Sequence, residues 1–356
     1  MPFWLEPFWL EPFSLEPFSL EPSAQALARE APVIEIHDVH KRFGHHPAVD
    51  GVSLNIPAGQ IFGIIGPNGA GKSTLFRMIC QIILPDAGHI EVFGARDELG
   101  IKRQIGYLPE EHRLYEHLKT LDYLHHFCDL MGVPRREGNQ ALELVGLSHK
   151  AHDKISKLSK GMRQKVAFAR TLLGDPPVLI LDEPMYGLDP HTTSEMRGWI
   201  VQASKRKVVV LSSHNLHEAE RVCETVAILH KGKVAAVGTP RMLIQKLKQE
   251  HVLEVGFRGE RGPLERAVAS LPLSRPAVFA ETSVDLYFPR KLEPYEILQR
   301  LLEVVQRAPE QISVTGISPR EPTLEDVFLA VTGEKFASAD EAGAAAGATS
   351  SEEVPT

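Results

Sequence analysis

Eight consecutive residues, Gly66, Pro67, Asn68, Gly69, Ala70, Gly71, Lys72 and Ser73, fit the pattern G-x-x-x-x-G-K-[ST], and Thr74 follows them. No other feature of the chain limits its fold so strongly. The stretch 60–65 before it reads as a short buried strand. The stretch 73–84 after it reads as a helix ending near Pro85. A glycine-rich turn in that setting allows several backbone N–H groups to converge on phosphate oxygens. The helix that follows adds its positive end. Lys72 is expected to bridge the β- and γ-phosphates of a nucleotide, and Ser73 to give its hydroxyl to Mg²⁺. The plainer reading is a glycine-rich turn that happens to precede a lysine, and the strand–loop–helix setting counts against it.

A second element supports the first. Val178, Leu179, Ile180 and Leu181 read as a buried strand, followed by Asp182, Glu183 and Pro184. Open α/β sheets place their ligands at the carboxyl ends of strands. Asp182 there can hold Mg²⁺, and Glu183 can polarise a water for attack on a γ-phosphorus. On their own, two acids after a strand would be an ordinary solvated turn.

Between about residues 31 and 249, strands alternate with helices, which predicts an α/β fold around a mainly parallel sheet. Segments 33–39 and 52–56 read as strands of an antiparallel lobe. Residues 114–173 lack strong strands and read as an inserted helical subdomain. Strands are expected at 208–211, 226–229 and 234–237, the last two joined by a turn at Lys231-Gly232. Thr239 is placed to cap a helix that has Pro240 in its first position. From 250 to 336 the pattern changes to a small α+β domain, with strands at 252–257, 284–288 and 312–314 and a helix over 295–305. A last helix begins at Thr323, with Asp326 completing an acidic capping box and Leu324, Val327, Phe328 and Val331 on one face.

The two ends differ from the rest. Residues 1–30 open with PFWLE, PFWLE, PFSLE, PFSLE. A period of five suits neither helix nor strand, and proline at that density blocks both. This segment is expected to be disordered, with a partner-binding role for Trp4, Trp9 and the phenylalanines as the alternative. It has no basic region like that of a signal peptide. The tail over 337–356, rich in Ala, Gly, Ser and Glu, is expected to be flexible.

The formal charge of −7 owes much to Glu6, Glu11, Glu16, Glu21, Asp340, Glu341, Glu352 and Glu353 in those ends. The remainder is close to neutral, so no nucleic-acid partner is expected. Cys80, Cys128 and Cys223 are far apart and form no CxxC pair, as buried thiols in a reducing compartment would. No apolar run approaches the roughly 18 residues that span a bilayer. If the protein works at a membrane, the pore is expected to belong to another chain.

In the order of its motifs, the chain over about 33–247 resembles the ATP-binding subunits of ABC transporters. The family's LSGGQ-like signature reads Leu158-Ser159-Lys160-Gly161-Met162-Arg163-Gln164 here, just ahead of the second acidic strand. From the residues alone, Ser159 is a helix N-cap. The resemblance implies that Ser159 and Gly161 meet the γ-phosphate of ATP bound by an opposite subunit. One P-loop per chain then implies a homodimer, or a pair with a close paralogue, sandwiching two ATP.

Further residues carry over by position. Asp189 in Gly187-Leu188-Asp189-Pro190 matches the D-loop, His214 matches the switch histidine, and Phe43 matches the aromatic residue on which adenine stacks. His214, His217 and Cys223 could instead be a loose metal set. Glu110, in Tyr107-Leu108-Pro109-Glu110, stands where the family usually has glutamine, and an acid there can still coordinate Mg²⁺. Lys160 and Met162 depart from the usual signature in the manner of exporter ATPases paired with a separate polytopic permease. The resemblance implies an ATPase peripheral to the inner face of the cell membrane, held there by its permease. The alternative is a soluble relative acting on nucleic acid or the ribosome. The segment between Lys72 and Ser159 is too short for the coiled coil of repair types, and translation types usually carry two P-loops. No N-K-x-D motif of a GTPase is present.

Overall fold

The computed structural model describes residues 32–247, 250–307, 313–334 and 336. The N-terminal repeat and the C-terminal tail, with their expected disorder, lie outside the described residues.

The first lobe is built from β1 (Pro32–Phe43) and β2 (His46–Pro57), followed by β3 (Ile61–Ile65), α1 (Lys72–Ile79) and β4 (Ala87–Val92). β1 pairs antiparallel with both β2 and β4, giving a sheet ordered β2-β1-β4. β1 and β2 run well beyond 33–39 and 52–56. Gly44, at φ 57, closes a tight turn that carries the pairing to the strand ends. α1 is shorter than the expected 73–84. Gln81 takes a left-handed φ of 54, and the Ile82 N–H donates back to the Arg77 carbonyl at 2.8 Å. That arrangement satisfies the last carbonyls and ends the helix at Ile79, well short of Pro85.

Next come α2 (Glu98–Lys102), β5 (Ile105–Leu108), α3 (Thr120–Met131), α4 (Arg135–Leu144), α5 (Lys160–Thr171) and β6 (Val178–Leu181). They are followed by α6 (Pro190–Ser204), β7 (Val208–Ser213), α7 (Leu216–Val222), β8 (Thr225–His230), β9 (Lys233–Gly238) and α8 (Pro240–Lys246). The main sheet is ordered β5-β6-β7-β3-β8-β9. All its pairings are parallel except the β8–β9 hairpin. Lys231 and Gly232, at φ 48 and 77, form the hairpin turn with both central residues left-handed. Thr239 caps α8 by accepting from the Met242 N–H.

β3, β6 and β7 are buried along their whole length. Their period of two divides them between two cores. Val178 and Ile180 pack with the antiparallel lobe and α1, whereas Leu179 and Leu181 pack with α5 and α6. Each such side chain contributes about 1.5–3 kcal/mol by leaving water. The helices α3, α4 and α5 form the inserted helical subdomain. Tyr123, Leu124 and Cys128 of α3 are fully buried there, and Arg170 of α5 donates to the Tyr123 hydroxyl.

The last part comprises β10 (Glu250–Arg258), α9 (Arg261–Val268), β11 (Val278–Phe279), β12 (Ser283–Pro289), α10 (Pro294–Arg307), β13 (Ser313–Arg320) and α11 (Leu324–Thr332). Its antiparallel sheet, ordered β11-β12-β10-β13, has a core of its own with α9 and α10. α9 and β11 were not anticipated. Gly262-Pro263 at the start of α9 reads as a turn, and β11 is two residues long. The capping box of α11 forms between Thr323 and Asp326 as expected. The body of α11 does not stay with the α+β unit. Leu324, Val327, Phe328 and Phe336 are buried in the same apolar cluster as α5 and β6, and α11 packs on α7, α8 and β9. Val331, expected on the buried face, is exposed. Among the described residues no helix is long and apolar enough to cross a membrane.

Candidate functional site

The loop from β3 to α1 follows the neighbouring strands too closely for side chains. A Cβ on Gly66 would lie 2.2 Å from the Leu229 carbonyl oxygen, and one on Gly71, at φ 102, equally close to that of Ala48. The Gly66 N–H donates to the Ser213 carbonyl at 3.3 Å, and the Gly232 N–H donates to the Ala70 carbonyl at 3.0 Å. The ends of β7 and the β8–β9 turn therefore hold the loop in place. At the start of α1, the N–H groups of Lys72, Ser73 and Thr74 have no acceptor earlier in the helix and are free to face an anion. Lys72 is buried; its Nζ donates to the Gly66 carbonyl at 2.8 Å and stands 3.5 Å from Glu183 Oε1.

β6 delivers Asp182, which is 1% exposed, and Glu183 beside it. Ser212, at the end of β7, joins the two acids. Its hydroxyl donates to Asp182 Oδ1 at 2.6 Å and accepts from the Glu183 N–H at 2.8 Å. Burial pushes the Asp182 carboxyl above its usual range, against hydrogen bonds from the Ser212 and Ser73 hydroxyls. Glu183 has φ 49. A left-handed backbone at a non-glycine residue costs on the order of 1 kcal/mol or more and must be held by its surroundings. His214 Nδ1 lies 2.8 Å from Glu183 Oε2, and the edge of Tyr186 packs on the His214 ring with centroids 4.8 Å apart. His214 therefore pairs with Glu183, and among the described residues His214, His217 and Cys223 do not form a metal-ligand cluster.

These groups border a cleft of about 450 Å³, lined by Phe43, His46, Ala48, residues 68–74, Glu110 and Glu183. Phe43 is 53% exposed at the end of β1, as a stacking platform requires. Glu110 is exposed, and its carboxyl is raised first by desolvation and then by the negative charges of Asp182 and Glu183. The Ser73 hydroxyl and the Asp182 carboxylate are hard oxygen donors brought within hydrogen-bonding reach of each other, a donor pair that fits Mg²⁺. A wider cleft of about 520 Å³ lies between α8 and Glu321-Pro322. It gathers Glu220, Glu224 and Glu321 without any phosphate-binding loop, so chemistry singles out the smaller one.

The remaining candidates lie off this cleft. Ser159 is the N-cap of α5, accepting from the Met162 N–H at 3.3 Å, and remains exposed. Gly161 lies against Thr192. Asp189 caps α6, accepting from the Thr192 N–H at 3.0 Å and from its hydroxyl at 2.7 Å, and these bonds hold its carboxyl below the usual range. Lys160 packs its ammonium over Tyr186. Sequence reasoning missed Ser212 as the bridge between the acids and Tyr186 as the support of His214. Ser212 lies two residues before His214, but a serine at a strand end carries no distinctive signal.

Residues 49–186 match the ABC transporter family. Nod factor export ATP-binding protein I of Rhizobium etli is 34% identical over 318 residues, covering 85% of this chain and 94% of that protein. The linearmycin resistance ATP-binding protein LnrL of Bacillus subtilis is 28% identical over 309 residues, covering 85% and 98%. Among solved structures, an ATP-binding subunit of an ABC transporter superposes with a TM-score of 0.56 at 30% identity, over 61% of this chain and 93% of that one. The cassette MJ0796, a dimer in a post-hydrolysis state bound to ADP and Pi, superposes with a TM-score of 0.54 at 25% identity, over 58% and 98%. On these matches the chain belongs to the ABC transporter family, as one of its ATP-binding, ATP-hydrolysing subunits.

Proposed function

We propose that two copies of this chain, or one copy and a close paralogue, close around two ATP molecules and so drive export through a separate polytopic permease. One observation carries this reading. Lys72, Ser73 and Glu183 line one cleft, with Asp182 bonded to Ser73 and His214 to Glu183 behind them, while Ser159, Gly161 and Asp189 do not line it. A single chain thus holds each half of a site but not one whole site. The dimeric cassette MJ0796 supports pairing, and the relatives named for Nod factor export support the direction.

In this reading Phe43 stacks on adenine and residues 66–74 enclose the phosphates, with Lys72 neutralising the terminal ones. Ser73, Asp182 and Glu110 would hold Mg²⁺, which supplies charge neutralisation at the phosphates. Glu183 accepts a proton from the attacking water, and His214 holds the Glu183 carboxylate in position. Ser159 and Gly161 of the opposite subunit close over the γ-phosphate with the N-terminal end of α5. Asp189 stands at the seam between subunits. The domain reading is a 31–249 ATPase followed by an α+β accessory unit, with α11 shared between them. The working location is the inner face of the cell membrane, reached through the permease.

The test is the oligomeric state of Glu183→Gln with ATP and Mg²⁺. A stable dimer is expected by size-exclusion chromatography, with turnover reduced at least ~10²-fold. Ser159→Arg in that background is expected to return it to monomer. A Glu183→Gln protein that binds ATP yet stays monomeric, alone and with its permease, overturns the proposal.

A further inference from the structure

The outer face of the antiparallel lobe carries four side chains with no part in the nucleotide chemistry. In the β1–β4 pairing, Glu35 stands opposite Glu91 and His37 opposite His89. Ile34, Ile36, Ile90 and Val92 alternate with them and are buried, so all four polar side chains share the other face. β4 is an edge strand of its sheet. Facing like with like is a poor choice for a bare sheet, because opposed carboxylates repel across the pair. The two imidazole rings stack with centroids 4.7 Å apart. Each carboxylate turns toward the histidine of its own strand. Glu35 Oε2 is 3.5 Å from His37 Nε2, and Glu91 Oε1 is 3.3 Å from His89 Nε2.

We propose that His37, His89 and Glu91, with Glu35 as a fourth donor, form a binding site for a divalent transition-metal ion of the zinc class, linking β1 to the edge strand β4. One donor atom from each of His37, His89 and Glu91 lies within 4.8 Å of the others. A tetrahedral zinc ion with bonds of about 2.0–2.1 Å holds its donors roughly 3.3 Å apart. The two same-strand pairs already have that spacing. The remaining gaps would close by turning the stacked imidazoles and swinging Glu35 in, movements that the partial exposure of all four residues leaves room for. Two imidazole nitrogens with carboxylate oxygens suit zinc and its neighbours; Mg²⁺ and Ca²⁺ favour all-oxygen sets. Arg96 is the competitor, its Nε donating to Glu91 Oε1 at 2.8 Å from a largely exposed side chain. None of these residues lines the nucleotide cleft.

The experiment titrates the full chain, without a polyhistidine tag, with Zn²⁺ by calorimetry. Excess Mg²⁺ is present to occupy the nucleotide site. Co²⁺ serves as a parallel visible-absorption probe. One equivalent is expected to bind, with cobalt bands of tetrahedral type. His37→Ala and His89→Ala should each weaken binding at least ~10-fold, His45→Ala should leave it unchanged, and Arg96→Ala should tighten it by freeing Glu91. Zinc uptake that is the same in wild type, His37→Ala and His89→Ala overturns the site. A loss shared equally by His45→Ala does the same.

Discussion

At the scale of single residues, Ser212 is the least conspicuous part of the site and the one on which two others depend. Ser212→Ala removes the donor to Asp182 and the acceptor for the Glu183 N–H together. Leaving that buried N–H unpaired costs about 1–3 kcal/mol, and Glu183 already occupies a left-handed backbone that needs holding. Turnover is therefore expected to fall roughly 10-fold or more while ATP affinity changes little. Steady-state hydrolysis and a nucleotide titration on the same preparation separate the two quantities. Lys72→Ala is the contrasting case. Its ammonium is buried at the mouth of the phosphate loop, so the variant is expected to lose ATP binding outright, and an unchanged affinity would remove Lys72 from the site. Lys72, Ser73, Asp182 and Glu183 stand out in the sequence because phosphate chemistry demands those residue types at fixed spacing, and the structure brings the four together. Ser212 was not, because its role comes from β6 and β7 lying side by side, a relation that no local pattern carries.

At the scale of elements, the phosphate loop depends on its neighbours as much as on its own glycines. Gly66→Ala would drive a methyl group into the Leu229 carbonyl of β8. Backbone cannot yield there as a flexible side chain could, so the loop itself must shift. The expected result is a loss of ATP binding together with a loss of stability of at least about 1–3 kcal/mol, read by thermal melting without nucleotide. A variant that melts normally and binds ATP would show that the loop does not need this close approach. Ser159→Ala tests a different element, since loss of the α5 N-cap alone costs about 1 kcal/mol. Strands β6, β7, β8 and β9 were legible from unbroken apolar runs and the Lys231-Gly232 turn. The full lengths of β1 and β2 were not, because Lys41, Arg42 and His46 pair across a bulged register that breaks the alternation. Pro85 is the only evident stop signal after α1 in the sequence, whereas a left-handed Gln81 ends the helix earlier.

At the scale of the whole molecule, α11 ties the C-terminal sheet to the ATPase. Its N-terminus is held by a buried polar network. Asp326 accepts from the Tyr287 hydroxyl at 2.7 Å, from Arg320 at 2.7 Å and from the Thr323 N–H at 2.7 Å. Burial alone would raise the Asp326 carboxyl, but Arg320, Thr323 and Tyr287 outweigh it and hold it below the usual range. A carboxylate with a depressed folded pKa contributes stability that is present above its unfolded pKa and disappears as pH falls through the folded one. Asp326→Asn is thus expected to cost on the order of 3 kcal/mol near neutrality. That difference should shrink below about pH 4, as melting curves across pH would record. The other end of α11 reaches the nucleotide site. Phe328 packs edge-on against His230, Glu334 pairs with Lys231 at 2.5 Å, and the next residue, Gly232, holds the Ala70 carbonyl of the phosphate loop. The sequence marked α11 by its capping box but could not say which core it fills, since an apolar helix face does not name its partner. Phe328→Ala decides that question. If α11 completes the ATPase core, the variant should lose about 3–5 kcal/mol from the transition that ATP stabilises. If α11 belonged to the C-terminal sheet alone, the ATP-stabilised transition would keep its midpoint and only a separate, nucleotide-insensitive one would move.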